Sequence, residues 1–387
     1  MNKVFYWSPF NSKVATVKSV INSAESLNRF FENKKFKTYI LDAVNEWVDF
    51  EEEIKKKKIE IIHLNKKTIF NSFKKDGFVR SRLAYWYIFL KSFFPLIKIL
   101  NQKKPDYLII HLITSLPLTL FMLKSFKTKL ILRVSGFPKM TFLRKTLWML
   151  ASKNIYKVTC PTIDTYNDLS KFNFLKDKLH ILSDPILNIK EIQRTRNQKI
   201  DINEKLDLIV NKKKFLLSIG RFTKQKNFIF YLNCIPEILK LDKDLSFLFI
   251  GQGESKKEFI EISKKLNISD KVFILNYTTN VHYFMKKARA LVLPSLWEDP
   301  GFVLVEAGFN NCQVLSSNCP NGPTEIIGED GGYLFESNSK NSLIKNFNRF
   351  FEDTNFEKQK KKIKLKKRIK RFTSFQHASV MQKSILT

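Results

Sequence analysis

Two glutamates, Glu298 and Glu306, stand where an apolar, strand-like run gives way to a predicted helix. Pro300 and Gly301 end the strand and let the backbone turn. The amides from Phe302 onward are then the donors of a helix N-terminus, which is a binding site for anions such as phosphate. Glu298 precedes this helix and Glu306 lies about one turn inside it. The two acids can therefore contact opposite ends of a molecule that carries phosphates between them, such as a nucleotide sugar.

Two cations follow another apolar run, at residues 215–219. Gly220 and Arg221 come directly after it, and Lys226 follows five residues later. A guanidinium that makes two hydrogen bonds and a compact ammonium can together stabilise the charge on a departing diphosphate without a metal ion. The alternative is a surface pair in a lysine-rich protein, but the adjacent glycine and strand favour the diphosphate role.

These landmarks resemble, in type and order, the retaining glycosyltransferases of the GT-B fold, family 4 in particular, which carry two glutamates separated by seven residues. The similar segments are 218–227, 249–254, 293–306 and 321–327. The match covers residues 214–335 and is weak before them. The resemblance implies an α/β protein with two Rossmann-like, doubly wound domains that face a central cleft.

The resemblance also assigns roles to residues of the donor half. It places Glu306 on the ribose hydroxyls and Glu298 near the hydroxyls of the donor sugar, and it makes Glu298, Arg221 and Lys226 the catalytic group. In the family's mechanism the leaving phosphate deprotonates the acceptor, and a glutamate nucleophile in a double displacement is the alternative. The residues predicted to contact the donor are Gly220, Gly301, Phe302, Val303, Leu304, Glu306, Asn276, Tyr277 and Glu325.

Several of these assignments have a structural alternative. Each glutamate of the pair could instead stabilise the helix dipole, a contribution of about 0.3–1 kcal/mol. Asn276 and Tyr277 either border the base or form an ordinary loop after a strand, and Glu325 either shapes the sugar side of the pocket or belongs to a turn. The string at residues 317–323 resembles members that use a UDP-linked N-acetylhexosamine.

The first half departs from the family pattern at two places. Many members carry a glycine pair after the first strand, where residues 8–14 contain no glycine. Many also carry a histidine before a glycine on the acceptor side, where this chain has Ser135 before Gly136. A hydroxyl is not a general base unaided, so we expect no side-chain base there, while phosphate-assisted transfer is retained. His111 is either a substitute for that histidine or a packed strand-end residue.

A chain of 387 residues exceeds one ordinary core and predicts two domains. Short apolar runs alternate with longer amphipathic stretches, which indicates βα units around parallel sheets. The predicted organisation is an acceptor-binding domain at 1–189, a linker at 190–212, a nucleotide-sugar domain at 213–354, and a basic C-terminal helix at 355–387 that returns to the first domain.

Other classes of protein are disfavoured by the sequence. No uncharged apolar run reaches the 18 residues of a membrane-spanning helix, and the N-terminus lacks the cleavage region of a signal peptide. The four cysteines are scattered, which fits reduced thiols in the cytoplasm. Asp242 and Asp244 imitate a metal-binding Asp-x-Asp motif but lie in a polar turn, so neither a metal nor a cofactor is predicted.

The net charge is +32, and the basic residues are dispersed except at 358–371, where there are ten Lys or Arg and no acid. That run fits an anionic membrane surface, a solvated helix or, least well, nucleic acid; without a recognition motif we predict no nucleic-acid partner. The aromatic-rich segment 83–97, which Pro95 interrupts, is either a core helix or an interfacial segment that reaches a lipid-linked acceptor.

Taken together, the sequence predicts a cytoplasmic, metal-independent, retaining glycosyltransferase on the inner face of the cell membrane. It would move a hexose or N-acetylhexosamine from a nucleotide sugar, UDP-linked, to a glycan acceptor that is polyprenyl-linked or part of a surface polysaccharide. The alternatives are a soluble transferase with a small acceptor and an inactive GT-B protein that only binds.

Overall fold

The computed structural model separates into two compact units of similar architecture. One unit comprises Met1–Ile186 together with Phe372–Thr387, and the other comprises Leu187–Arg371. The residues that the structure describes are 1–11, 15–30, 36–65, 70, 78–212, 214–278 and 280–387. Ser12, Lys13 and Val14, which belong to the glycine-free segment noted above, lie outside them.

The first unit contains a seven-stranded parallel sheet with the strand order β3-β2-β1-β4-β5-β6-β7. Its strands are β1 (Asn2–Trp7), β2 (Phe36–Asp42), β3 (Glu60–His63), β4 (Tyr107–Ile110), β5 (Lys129–Arg133), β6 (Ile155–Cys160) and β7 (Leu179–Ile181). Its helices between these strands are α1 (Ala15–Phe30), α2 (Glu51–Lys56), α3 (Phe78–Lys103), α4 (Ser115–Leu123), α5 (Phe142–Ala151) and α6 (Ile163–Ser170).

Both faces of this sheet are covered, as the apolar character of its strands requires. Along β1, Phe5 and Trp7 belong to one hydrophobic cluster and Val4 and Tyr6 to another. Successive side chains of a strand point to opposite faces, so the two clusters are the two helix-covered sides of a doubly wound sheet.

The second unit contains a six-stranded parallel sheet with the order β10-β9-β8-β11-β12-β13. Its strands are β8 (Phe215–Ile219), β9 (Ser246–Ile250), β10 (Val272–Leu275), β11 (Ala290–Leu293), β12 (Gln313–Ser317) and β13 (Tyr333–Phe335). Its helices are α7 (Ile189–Thr195), α8 (Glu204–Lys212), α9 (Phe228–Leu241), α10 (Lys256–Lys265), α11 (Val281–Lys287), α12 (Phe302–Phe309), α13 (Pro323–Ile327), α14 (Lys340–Glu352) and α15 (Asn355–Ile369).

The two ends of the second unit differ in detail from the predicted organisation. Residues 190–212, predicted as a linker, contain nearly all of α7 and all of α8. Within the predicted C-terminal helix, α15 packs on α12 and α13 of the second unit. The chain then enters the first unit as α16 (Ser374–Val380), which packs on α1. The basic run is therefore largely a structural helix of the second unit.

Among the described residues, one helix is long and apolar enough to cross a membrane, the Val79–Lys103 part of α3, and it is partly buried in the first unit. The four cysteines Cys160, Cys234, Cys312 and Cys319 are buried and unbridged. Burial raises their pKa values, in each case to about 11 or 12, so they are unreactive thiols at neutral pH.

Candidate functional site

The strand order of the second unit creates a topological switch point between β8 and β11. From β8 the chain continues to β9 and β10 on one side, whereas from β11 it continues to β12 and β13 on the other. The loops after the two central strands diverge at this point and leave a crevice at the carboxyl edge of the sheet, where open α/β sheets bind ligands. The Gly220–Lys226 loop follows β8 and the loop to Glu298 follows β11, so the topology brings the predicted cations and acid together.

The two loops are fastened to each other by hydrogen bonds around Gln225. The backbone amide of Leu296 donates to the Gln225 carbonyl at 2.9 Å, and the Gln225 side-chain amide donates to the Trp297 carbonyl at 3.1 Å. These bonds fix the position of Lys226, the next residue, relative to the segment that carries Glu298.

Lys226 and Glu298 form an ion pair at the centre of this edge. The Lys226 Nζ lies 2.6 Å from the Glu298 Oε1, and the two side chains are only 15% and 4% exposed. The Ser295 hydroxyl donates to the same carboxylate oxygen at 2.5 Å. A carboxylate this deeply buried needs such partners, so the pair holds one cation and one anion in fixed positions at the switch point.

Asn321 fixes the backbone under Glu298. Its side-chain amide donates to the Glu298 carbonyl at 2.9 Å, and the Glu298 amide donates to the Pro320 carbonyl at 3.2 Å. The next residue, Gly322, has φ +133°, and a Cβ there would lie 2.0 Å from the Pro300 carbonyl oxygen. Only glycine permits this approach of the loop after β12 to the loop after β11.

Sequence reasoning gave no role to Ser295 or Asn321. Ser295 stands three residues before Glu298 on the loop that leaves β11, and at this spacing a hydroxyl can reach the carboxylate. Asn321 precedes a glycine and has φ +70°, and an Asn-Gly pair in a sequence indicates a tight turn of defined geometry.

The helix after the Glu298 loop begins where the sequence predicts. Gly301 is the N-cap of α12 with φ +86°, and the first helical residue is Phe302. Phe302 and Val303 are half-buried in the first turn, while Leu304 is fully buried and its amide donates to the Gly301 carbonyl at 3.0 Å. Leu304 is thus engaged in the helix, and the first two positions are the ones placed to offer amides to an anion.

Glu306 lies one turn further along α12 and is half-buried. Helix α12 packs on α15, and this packing sets the position of Glu306. Gly308 leaves room there for Leu365, because a Cβ on Gly308 would lie 2.8 Å from the Leu365 Cγ. Arg221 is exposed, and its guanidinium makes a long contact of 3.4 Å with the Gln225 side chain. Gly220 lies against the Lys226 side chain, since a Cβ there would be 3.0 Å from the Lys226 Cε.

The other predicted donor residues stand further from the switch point or have structural partners. Asn276 and Tyr277 follow β10, which β9 separates from β8; Asn276 accepts from the Lys256 ammonium at 2.7 Å and Tyr277 is largely exposed. Glu325 forms an ion pair with Arg371 at 2.7 Å, a contact that ties α13 to the end of α15.

Asp242 and Asp244, the imitation of a metal motif, take part in separate ion pairs. Asp242 lies 2.6 Å from Arg289, and Asp244 lies 2.8 Å from Lys214. Both precede β9 and so lie at the amino edge of the sheet, opposite the switch point. Across the described part of the chain, no group of three or more His, Cys, Asp or Glu is placed to hold a metal ion.

The two acceptor-side candidates belong to the first unit. His111 directly follows β4, is buried, and has no hydrogen-bond partner on either ring nitrogen among the described residues. Burial, with Arg133 and His377 nearby, lowers the pKa of His111 well below its usual value, so the ring is neutral. Ser135 is half-buried just after β5, and its hydroxyl oxygen is buried without a partner in the described structure.

The whole chain shares its fold with solved glycosyltransferases of the GT-B class. A glycosyltransferase from Rickettsia africae superposes with a TM-score of 0.74 at 15% identity, covering 100% of this chain and 97% of the other. The Anabaena protein HepE in complex with UDP superposes with a TM-score of 0.70 at 11% identity, covering 100% and 99%. The predicted α/β architecture of two Rossmann-like halves with the GT-B fold is confirmed.

Sequence comparison identifies the second unit more closely. Residues 199–370 match the family described as glycosyl transferases group 1, so the chain carries a glycosyltransferase domain. A relative from Campylobacter jejuni, described as N-acetylgalactosamine-N,N'-diacetylbacillosaminyl-diphospho-undecaprenol 4-alpha-N-acetylgalactosaminyltransferase, is 29% identical over 251 residues. The match covers 64% of this chain and 66% of the relative, just under two thirds of its length.

Proposed function

We propose that the protein is a retaining glycosyltransferase that moves a hexose or N-acetylhexosamine from a nucleotide sugar to a glycan acceptor. The observation that carries this proposal is the Lys226–Glu298 ion pair at the β8/β11 switch point, 2.6 Å long and largely buried. It stands beside the N-terminus of α12, which begins at Phe302. A cation, a helix N-terminus and an acid at one strand edge suit a ligand that joins a sugar to a diphosphate.

In the proposed binding mode, Arg221 and Lys226 contact the diphosphate, together with the first amides of α12. Glu306 binds the ribose hydroxyls, and Glu298 binds the hydroxyls of the donor sugar. Two cations supply the charge that the departing diphosphate requires, so the reaction is proposed to need no metal ion. We take UDP as the nucleotide because the structurally similar HepE was solved with UDP.

The proposed chemistry replaces a side-chain base by the leaving group. The buried Lys226 ammonium and the exposed Arg221 guanidinium stabilise the developing diphosphate, and a phosphate oxygen takes the proton of the acceptor hydroxyl as the new glycosidic bond forms. Because the acceptor attacks from the face that the phosphate leaves, the anomeric configuration is retained. The acceptor-side candidates fit this scheme, since His111 is buried and neutral and Ser135 offers only a hydroxyl.

The proposed acceptor is a glycan linked to a polyprenyl diphosphate or a growing surface polysaccharide. Support comes from the Campylobacter jejuni relative, whose name describes a diphospho-undecaprenol acceptor. An acceptor anchored in this way would place the enzyme at the inner face of the cell membrane, as a peripheral protein.

Thermal unfolding in the presence of UDP, GDP and ADP sugars tests the donor assignment. A ligand that binds the native state raises its melting temperature, and a concentration of 100 times Kd adds about 2.7 kcal/mol. We expect UDP sugars to stabilise the wild-type protein, with or without a chelator, and to stabilise Glu306→Ala much less. Glu329→Ala, an exposed acid just after α13, is the matched control. Stabilisation by none of the nucleotides would refute the donor site, and loss of the effect in chelator would refute metal independence.

A further inference from the structure

Helix α3 presents an apolar stripe to solvent that the core does not need. One side of the helix is buried in the first unit at every fourth position, namely at Ala84, Ile88, Ser92, Leu96 and Leu100. The opposite side carries large apolar residues that are each more than half exposed, namely Val79, Leu83, Trp86, Leu90 and Phe94. The spacing of the second set is that of one helix face, so the stripe is a continuous surface.

The two helices that follow α3 also carry exposed apolar residues. Helix α4 contacts both α3 and α5. At the end of α4, Leu123 is 72% exposed, and at the start of α5, Phe142 and Leu143 are about 80% exposed. On a folded protein, an exposed apolar face such as that of α3 marks a site of interaction with another protein or a membrane.

The part of the chain that contains these helices is strongly positive. Between Phe78 and Ile163 there are 15 Lys or Arg and a single acid, Asp106. With 3.6 residues per turn, Arg80, Lys91 and Lys98 lie on one flank of the stripe and Arg82 on the other, and all four are exposed. An apolar stripe with three cations on one flank and one on the other is complementary to a surface that is anionic outside and apolar inside.

We propose that α3, with the exposed apolar residues of α4 and α5, is a docking surface for an anionic lipid bilayer. The helix lies flat in the interface, with Trp86, Leu90 and Phe94 inserted among the acyl chains and the flanking cations at the phosphate level. The stripe from Val79 to Phe94 spans 16 residues, or about 22 Å along the axis.

A flat orientation follows from the other side of the helix. Ala84, Ile88 and Leu96 are buried in the core of the first unit, and a helix that spanned the bilayer would have to withdraw them. A protein partner is less well matched, because four flanking cations would require a partner with acids spaced along both sides of an apolar ridge. Binding of this surface to lipid does not depend on the transfer reaction.

The test is binding of the full-length protein to vesicles of phosphatidylcholine alone or mixed with phosphatidylglycerol, measured by flotation. We expect binding to the anionic vesicles that weakens as salt rises. Leu90→Ser with Phe94→Ser should weaken it more than about tenfold. Leu208→Ser, an exposed helix leucine of the second unit, is the control and should have no effect.

The charge arm uses matched triple variants. Arg80→Gln, Lys91→Gln and Lys98→Gln together should weaken binding on the order of 100-fold at low salt, since each cation near an anionic membrane contributes about fivefold. The control replaces Lys257, Lys264 and Lys265, exposed lysines of α10, by Gln. The difference spectrum between wild type and Trp86→Phe isolates the emission of Trp86, which should shift to the blue on anionic vesicles.

Three results would overturn the proposal. The first is absence of wild-type binding to anionic vesicles. The second is a failure of either determinant of binding. The variant with Leu90→Ser and Phe94→Ser (the stripe variant) would then bind as well as wild type, or wild type would bind neutral and anionic vesicles equally at all salt concentrations. The third is a wild-type dimer in solution that the stripe variant converts to a monomer, because the stripe would then be covered by a second copy of the chain.

Discussion

The Lys226–Glu298 ion pair should oppose the binding of a free nucleotide diphosphate. The ammonium lies 2.6 Å from the Glu298 carboxylate oxygen in the ligand-free protein. A phosphate oxygen on the other side of the ammonium, about 2.8 Å from it, would stand roughly 4–5 Å from that carboxylate. Two unit charges 4 Å apart repel by about 1 kcal/mol in water and about 4 kcal/mol near a protein surface.

Removing the carboxylate charge should therefore strengthen the binding of UDP. Because the pair is largely buried, the repulsion is at least the lower figure, and 1 kcal/mol corresponds to about a fivefold change. We expect Glu298→Gln to bind UDP at least about fivefold more tightly than wild type while losing most of its turnover, since Glu298 serves the sugar. Lys226→Met loses a charge-assisted bond worth about 1.5–3 kcal/mol and should bind UDP about 10–150-fold more weakly.

The assay is calorimetric titration of UDP into wild type, the two single variants and the double variant. The double variant should bind UDP about fivefold more tightly than Lys226→Met, because the repulsion between the Glu298 carboxylate and the phosphate does not depend on the ammonium. Lys224→Met, which removes an exposed lysine two positions earlier, is the control. If Glu298→Gln weakens UDP binding as much as Lys226→Met does, the proposed repulsion between carboxylate and phosphate is refuted. If Lys226→Met leaves the affinity for UDP unchanged, Lys226 does not belong to the diphosphate site.

Glu306→Ala should weaken UDP binding by about 10–100-fold through the loss of two ribose hydrogen bonds, measured by the same titration. Gly322→Ala should destabilise the protein by roughly 3 kcal/mol in thermal unfolding, because φ is +133° and a Cβ would meet the Pro300 carbonyl. Burial lowers the pKa of His377 to about 3, so the ring stays neutral in the folded protein but takes up a proton below about pH 6.5 when unfolded. Its stabilising contribution is therefore lost as pH falls from about 6.5, by up to about 1.4 kcal/mol per pH unit, and His377→Gln should show a smaller decrease in melting temperature between pH 7 and 5.

The sequence predicted the fold because the strands of both sheets are short apolar runs with clear ends. Gly220 follows β8, Gly301 precedes α12 and Gly322 precedes α13, and in a chain with 11 glycines each is informative. The start of α12 at Phe302 could be predicted for the same reason, since Pro300 and Gly301 mark it.

What the sequence could not supply was the pairing of side chains across the chain. Lys226 and Glu298 are 72 residues apart, and nothing local predicts that they meet. The basic run at 358–371 is another case, because its composition suggested an external partner. In the structure Arg368 contacts Asp330 and Arg371 contacts Glu325. The sequence of a basic helix does not show whether its charges pair with acids of the same protein or with an external partner; that depends on which elements pack against the helix.

The return of the chain to the first unit has a consequence for the order of folding during synthesis. The short π-helix that follows α16, at Met381–Ile385, and Leu386 after it supply Met381, Ile385 and Leu386 to a core made otherwise of residues before 187. The buried His377 joins Ser23 and the carbonyl of Ser183 by hydrogen bonds of 2.7 and 2.8 Å. A ribosome that adds about 5–20 residues per second makes the intervening 185 residues, 187 to 371, in roughly 10–40 s. Throughout that time the contiguous second unit is being made and folded, while the first exposes apolar surface on α1 that only the last residues cover. The unit made first is thus the unit completed last.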